Sequence, residues 1–467
     1  MFDSLFKVKF NWPIYLLAGF AIRLVFIDMS WWSYSAIMIT LFQFGLLFSA
    51  IGHIIPVRYL LGSFMCLQFL VGSTLAYNGA DQYQYIYYKM QVPEAEYFSY
   101  VLPAVVLFIL GLNVLASRLP GETVNRESIR VFANNHPQLA YIFIAIGFLS
   151  SIVSIFFSSD LAFVFYLLGG FKFVGLFLLL LGDKQLKPVI LTIVIGSIIS
   201  SSLGSGMFHD LLTWLIFASA VLGIKYRFGL KIKLLGLIGF VLVVFTIQVL
   251  KGSYRQMLAA SEGGLVEFAE LASEENKLSG GLFSPERLAS HNVRINQGFI
   301  ITNIMNTVPA KVPFENGREL MLLLEAGIMP RILAPNKLKA GDREIFFKYS
   351  GIALMEGTSM GLSSVGDAYI NFGIIGGWVF MFFYGALFNV ILYLFGKKSR
   401  RYPILMLFTT LVFYYPIRPD CELQTILGHL FKSCFLIYAI LLVWGHEFSI
   451  TAAKMKKHLA LSKPTRS

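Results

Sequence analysis

Apolar residues fill long runs of the chain, and polar residues collect between them. Runs near 13–29, 34–52, 58–77, 99–117, 138–157, 160–182, 188–206, 208–224, 231–250, 371–395, 402–418 and 424–446 approach the ~20 residues needed to cross a hydrocarbon core. The pattern therefore predicts twelve membrane helices, although the short connection from Gly204 to His209 also suits a re-entrant hairpin. In lipid every backbone polar group must be bonded within the structure, and without dominant period-two alternation helices are the expected solution. The expected fold is all-α and polytopic. Its parts are a nine-span region (1–250), a large polar segment (251–367), a three-span region (368–450) and a basic tail (451–467).

Composition agrees, with 57% hydrophobic and 14% charged residues and a mean hydropathy of +0.70. The three cysteines form no disulfide framework, because Cys66 and Cys434 fall in predicted spans and Cys421 in a short loop. The first apolar run contains Arg23 and no clear small-residue cleavage site, so it reads as a membrane helix rather than a signal peptide.

Charge sets the expected orientation, because Lys and Arg accumulate in cytoplasmic loops. With both termini cytoplasmic, the inner segments hold twenty-one of the 38 Lys and Arg residues and the short outer loops hold two, Lys89 and Arg418. The polar segment then faces outward, to the periplasm or the cell exterior. The net charge of +12 lies mainly on the inner face, where it meets anionic lipid and is no sign of nucleic acid. Arg23, Lys172 and Lys432 fall within spans, where a charge costs on the order of 2.5–3.5 kcal/mol at mid-bilayer. They are expected to snorkel or face the interior, Arg23 beside Asp28. Tyr77, Tyr83, Tyr85, Tyr87, Tyr88, Tyr97 and Tyr100 suit an interfacial aromatic belt or a glycan-binding rim.

The polar segment carries the candidate chemistry. Its 263–275 stretch is amphipathic and suits a helix lying on the membrane surface or on other spans. Ser284-Pro285-Glu286 marks a helix start. From there Arg287, His291, Arg294 and Gly298 share one helical face, a stripe able to clamp a diphosphate. Met329-Pro330-Arg331-Ile332-Leu333-Ala334-Pro335-Asn336-Lys337 cannot continue a helix and predicts a rigid turn presenting Arg331 and Lys337. Glu356 precedes the tract Gly366-Asp367-Ala368-Tyr369-Ile370-Asn371-Phe372-Gly373, where the chain returns to the bilayer with Gly376 and Gly377 close behind. Glycine at that density permits close helix contact or irregular backbone beside a cavity.

The span order, the MPRILAPNK turn, the GDAYINFGIIG tract and the Arg287–Gly298 spacing resemble bacterial oligosaccharide repeat-unit polymerases, the O-antigen polymerase group. The topology covers the whole chain and the two short motifs about twenty residues of it. The resemblance implies a GT-C-like membrane fold and inverting glycosyl transfer, building O-antigen, capsule or exopolysaccharide from undecaprenyl-diphosphate-linked repeat units. A hydroxyl of one unit would attack the anomeric carbon of a growing glycan, and undecaprenyl diphosphate would leave. The leaving group needs cations, for which Arg287, Arg294, Arg331, Arg343 and Arg418 are candidates. His291, Asp367 or Glu356 would serve as base. Gly366, Tyr369, Asn371 and Gly373 would form the motif at the bilayer edge. The implied partners are a chain-length regulator, a flippase and the bilayer of the bacterial cytoplasmic membrane.

The chain lacks D-x-D, G-x-x-x-x-G-K-[ST] and H-E-x-x-H, so no metal or other cofactor is expected. An O-antigen ligase would use the same donor. A lipid-linked oligosaccharide flippase or transporter is the alternative of a different class, but transporters place ionisable groups near the midplane. This chain concentrates them in one outer segment.

Overall fold

The computed structural model describes residues 10–80, 86–114, 126–157, 159–183, 188–205, 208–259, 267–268, 270, 292, 295–329, 334, 337–338, 340–355 and 358–449. These residues form helices and turns with no β-strand, and one isolated bridge joins Ile51 and Ile54. The first helices are α1 (Trp12–Val25), α2 (Trp31–Ala50), α3 (Val57–Gly79), α4 (Glu94–Asn113), α5 (Arg126–Asn135), α6 (Pro137–Val153), α7 (Ser159–Gly169) and α8 (Phe171–Leu181). Next come α9 (Pro188–Ser205), α10 (His209–Tyr226), α11 (Leu230–Ala259), α12 (Gly298–Thr307), α13 (Arg318–Ile328), α14 (Arg343–Ser350), α15 (Ser363–Ser399), α16 (Leu405–Val412) and α17 (Leu423–Phe448).

Among the described residues seven stretches are long and apolar enough to cross a membrane: α2, α3, α4, Phe163–Leu181, α9, α15 and α17. The pair α5–α6, bent by 86°, makes an eighth if counted as one span. The molecule is an all-α membrane protein. The other predicted spans depart from expectation. The 13–29 run gives a helix of 14 residues, while 208–224 and 231–250 are helical as α10 and α11 but fall outside the seven. The 402–418 run forms a helix of only 8 residues, α16. Its end has a local cause: Pro416 lacks an N–H and disfavours helical backbone at Tyr415, so the chain turns from Phe413 to Ile417.

The core is built on α4 against α15. A Cβ at Gly111 would collide with the Phe382 carbonyl oxygen, and one at Gly385 with that of Phe108, so these helices meet backbone to backbone. Trp378 Nε1 donates to the Tyr100 carbonyl at 2.9 Å and Asn389 Nδ2 to that of Gly111 at 3.3 Å. Buried Arg58 donates to Asn389 Oδ1 at 2.9 Å, closing the far end of the seam.

Much of the polar segment folds into this core. α3 carries π-type turns at Leu67–Val71 and Ala76–Ala80, which interrupt the regular helical hydrogen bonding. Gln68 O accepts from Gln297 N at 3.1 Å, Gly72 O from Asn292 Nδ2 at 3.1 Å, and Phe69 O from Tyr97 Oη at 2.8 Å. α12 is buried from Gly298 to Met305. Gly298, expected on the cationic stripe, begins a separate helix: Asn296 and Gln297 are not helical, and Asn296 Oδ1 accepts from Gly298 N at 2.8 Å to open α12. Gly298 serves packing, since a Cβ there would collide with Ser73 Oγ.

Three further expectations change. Arg23 donates to the Met29 carbonyl at 2.6 Å and lies 4.5 Å from the Trp31 ring rather than pairing with Asp28. Tyr97 and Tyr100 are fully buried, and Tyr77 donates to the Val92 carbonyl at 2.9 Å, so these three form no belt or rim. Tyr83 and Tyr85 lie outside the described residues. From the amphipathic 263–275 stretch, Phe268 packs on Phe208 and Tyr254, so it faces other helices.

Candidate functional site

α15 bends at Gly373, where φ is 64° and ψ is −157°, a conformation open to glycine and strained for other residues. The part beyond the bend packs on α4. The part before it, Ser363–Phe372, carries Asp367, which is 4% exposed. Asp367 lines a small cleft with Glu319 of α13, Asp342 at the start of α14, and Glu422 and Gln424 at the start of α17. Leu323, Ile345, Phe346, Met360 and Leu362 complete the wall. Four carboxylates from four separate elements thus converge.

Three of the acids are held by hydrogen bonds to their carboxylates, and Asp367 by one to its backbone. Asp342 Oδ1 caps α14, accepting from Glu344 N at 2.9 Å and Ile345 N at 3.2 Å. Glu422 accepts from Gly341 N at 2.9 and 3.0 Å through its two oxygens. Tyr349 Oη donates to Glu319 Oε2 at 3.1 Å, while buried Glu319 Oε1 has no hydrogen-bond partner among the described residues. Asn371 Nδ2 donates to the Asp367 carbonyl at 2.9 Å, and Asn371 Oδ1 accepts from Leu320 N at 3.1 Å, tying α13 to α15.

The electrostatics divide within a short distance. Burial pushes the Glu422 carboxyl above the ordinary value of 4.5; the Gly341 N–H opposes this and the Asp342 charge adds to it. Glu315, just before α13, is held below 4.5 by hydrogen bonds from Lys348 at 2.8 Å and Tyr349 at 2.7 Å. None of the four cleft acids forms an ion pair among the described residues, and no three groups there are placed to ligate a metal.

The loop from Arg418 to Glu422 joins the cleft to a second cluster. Arg418 lies 3.7 Å from Asp420 and 5.5 Å from the Tyr415 ring. The Tyr415 ring packs in turn on His429 at 5.0 Å, Tyr414 at 5.5 Å and Tyr166 at 6.1 Å. Burial, then the Asp420 charge, pushes the Cys421 thiol up to about 12, which favours its protonated form.

Of the residues singled out by sequence, Asp367 lines the cleft and Arg418 stands on the loop that supplies Glu422. Arg343 is the exposed first residue of α14, directly after Asp342. Gly366 packs on Ile304 and Ile301, and Tyr369 meets Tyr100 at 5.0 Å and Phe314 at 5.7 Å edge to face. With Asn371 and Gly373 they shape the backbone around Asp367. Lys337, expected as a presented cation, donates instead to the Ala326 and Met329 carbonyls at the end of α13. Arg287, His291, Arg294, Arg331 and Glu356 lie outside the described residues. Sequence reasoning missed Glu319, Asp342 and Glu422 as a group. The available signals were Arg-Pro-Asp-Cys-Glu between two apolar runs, and Glu319 in register with the apolar Leu323 and Ala326. No family model matches the chain, and neither a curated protein nor a solved structure shows significant similarity to it.

Proposed function

We propose that the protein is an inverting, metal-independent glycosyltransferase that polymerises undecaprenyl-diphosphate-linked repeat units on the outer face of a bacterial cytoplasmic membrane. The observation that carries the reading is Asp367. It belongs to the tract resembling O-antigen polymerases, and among the described residues the other charged groups lining its cleft are carboxylates. Such a cleft repels a diphosphate and suits a hydroxyl-bearing acceptor, whereas Arg418 suits the leaving diphosphate. The acceptor oxygen bonds to the anomeric carbon, the bond from that carbon to the diphosphate oxygen breaks, and Asp367 takes the hydroxyl proton. A chain-length regulator and a flippase are the partners proposed for this activity in the cell. The test is chain extension by the purified protein in proteoliposomes supplied with lipid-linked repeat units. Asp367→Asn is expected to abolish the ladder of products, and an unchanged ladder from that variant would overturn the assignment. Lys311→Cys, labelled by an impermeant maleimide from outside the cell, tests the orientation.

A further inference from the structure

We infer that α13 is an interfacial helix whose outer face contacts the acyl chains of the bilayer, making it the wall between the acidic cleft and lipid. Its two ends rest on two membrane helices. At the first end Leu320 N donates to Asn371 Oδ1 of α15 at 3.1 Å, and a Cβ at Gly317 would meet the Phe372 ring at 3.4 Å. At the other, a Cβ at Gly327 would lie 2.9 Å from the Gln424 carbonyl oxygen of α17, and one at Gly428 would lie 2.9 Å from the Gly327 carbonyl oxygen. Glycine faces glycine there, so the two backbones touch. Gly428 is five residues past the start of α17, about 7.5 Å along the helix axis at 1.5 Å per residue. That end of α13 therefore sits beside a membrane-spanning helix below its first turn.

The faces of α13 match this position. Glu319, Leu323, Ala326 and Gly327 are buried, and Glu319 and Leu323 line the cleft. The opposite side exposes Met321 (66%), Leu322 (39%), Ile328 (41%) and Met329 (45%). At the start of α13, Gly317 lies against the exposed Phe372 of α15, and Ile375 is exposed one turn further on. On α17 large exposed apolar residues begin only at Phe435, past the turns that α13 covers. Arg318 and Glu325 are exposed on the same side of α13, between Met321 and Leu322, which suits headgroup depth rather than the bilayer centre. Lipid is the occupant that fits a largely apolar exposed side on a helix whose two ends rest on membrane-spanning helices. The placement stands without the glycosyl-transfer reading. If both hold, a lipid-linked substrate reaches the cleft by passing beside α13.

The test uses the purified full chain in lipid nanodiscs, with bimane attached to Met321→Cys, Leu322→Cys or Met329→Cys in turn. Lys311→Cys serves as the polar control, and the wild type, with Cys66, Cys421 and Cys434, sets the labelling background. Phospholipids carrying a doxyl group on the acyl chain are expected to quench these α13 positions several-fold more strongly than position 311. Aqueous iodide is expected to quench them less. Acyl-chain quenching no greater than at 311, or equal access to iodide, overturns the inference and leaves the face to water or to a protein partner.

Discussion

The two halves of α15 divide the molecule's work at Gly373. Beyond the bend the helix is locked to α4 by close contact at Gly111 and Gly385, with Asn389 and Arg58 filling the polar positions. Before the bend the same helix places Asp367 among acids that form no ion pair among the described residues, and a buried charge without a partner is costly to hold. One half follows the rules of packing and the other departs from them. A cluster of buried acids held beside a closely packed seam marks that place for chemistry.

The strongest way to break this comparison is Asp367→Asn. Removing a general base costs about 10²–10⁴-fold in rate, so chain extension should fall by that factor in the reconstituted assay. Thermal melting in detergent should show equal or greater stability, because a buried carboxylate has been neutralised. A large fall in melting temperature with turnover retained would make Asp367 a packing residue. Gly111→Ala should do the opposite. Overpacking a tight contact costs about 1–3 kcal/mol, so the melting temperature should drop while activity per folded molecule persists.

A smaller effect separates the acids themselves. Because the folded-state value of Glu422 is raised, its contribution favours folding fully below the ordinary 4.5 and is lost as pH rises through the higher folded value. Glu315 has the reverse sign: its contribution is present above 4.5 and lost as pH falls through its depressed value. Melting measured across mildly acidic pH should therefore flatten above 4.5 in Glu422→Gln, and below it in Glu315→Gln. The smallest change expected is from Tyr349→Phe, which removes the hydroxyl bonded to both Glu315 and Glu319. It should cost about 1 kcal/mol, read as a modest shift in melting temperature.

The all-α membrane class and the Gly373 region were legible in the chain, because hydropathy and glycine act locally. Span count was less so. Pro416 ends α16 within a run whose hydropathy alone suggested a full crossing. The start of α12 was not legible either, because the Asn296 side chain that accepts from Gly298 N carries no hydropathy signal.

The sequence by itself determined the solvent, the helical class and Asp367 as one candidate, since burial of apolar length and glycine's conformational freedom depend only on neighbours in the chain. Only the tertiary structure decided that Glu319, Asp342 and Glu422 join Asp367. These residues are far apart along the chain and meet because α13 is fastened at one end by Asn371 and at the other by Gly327 on Gly428. Contacts of that range follow from how helices pack, and no local pattern records which of many acids will share one cleft.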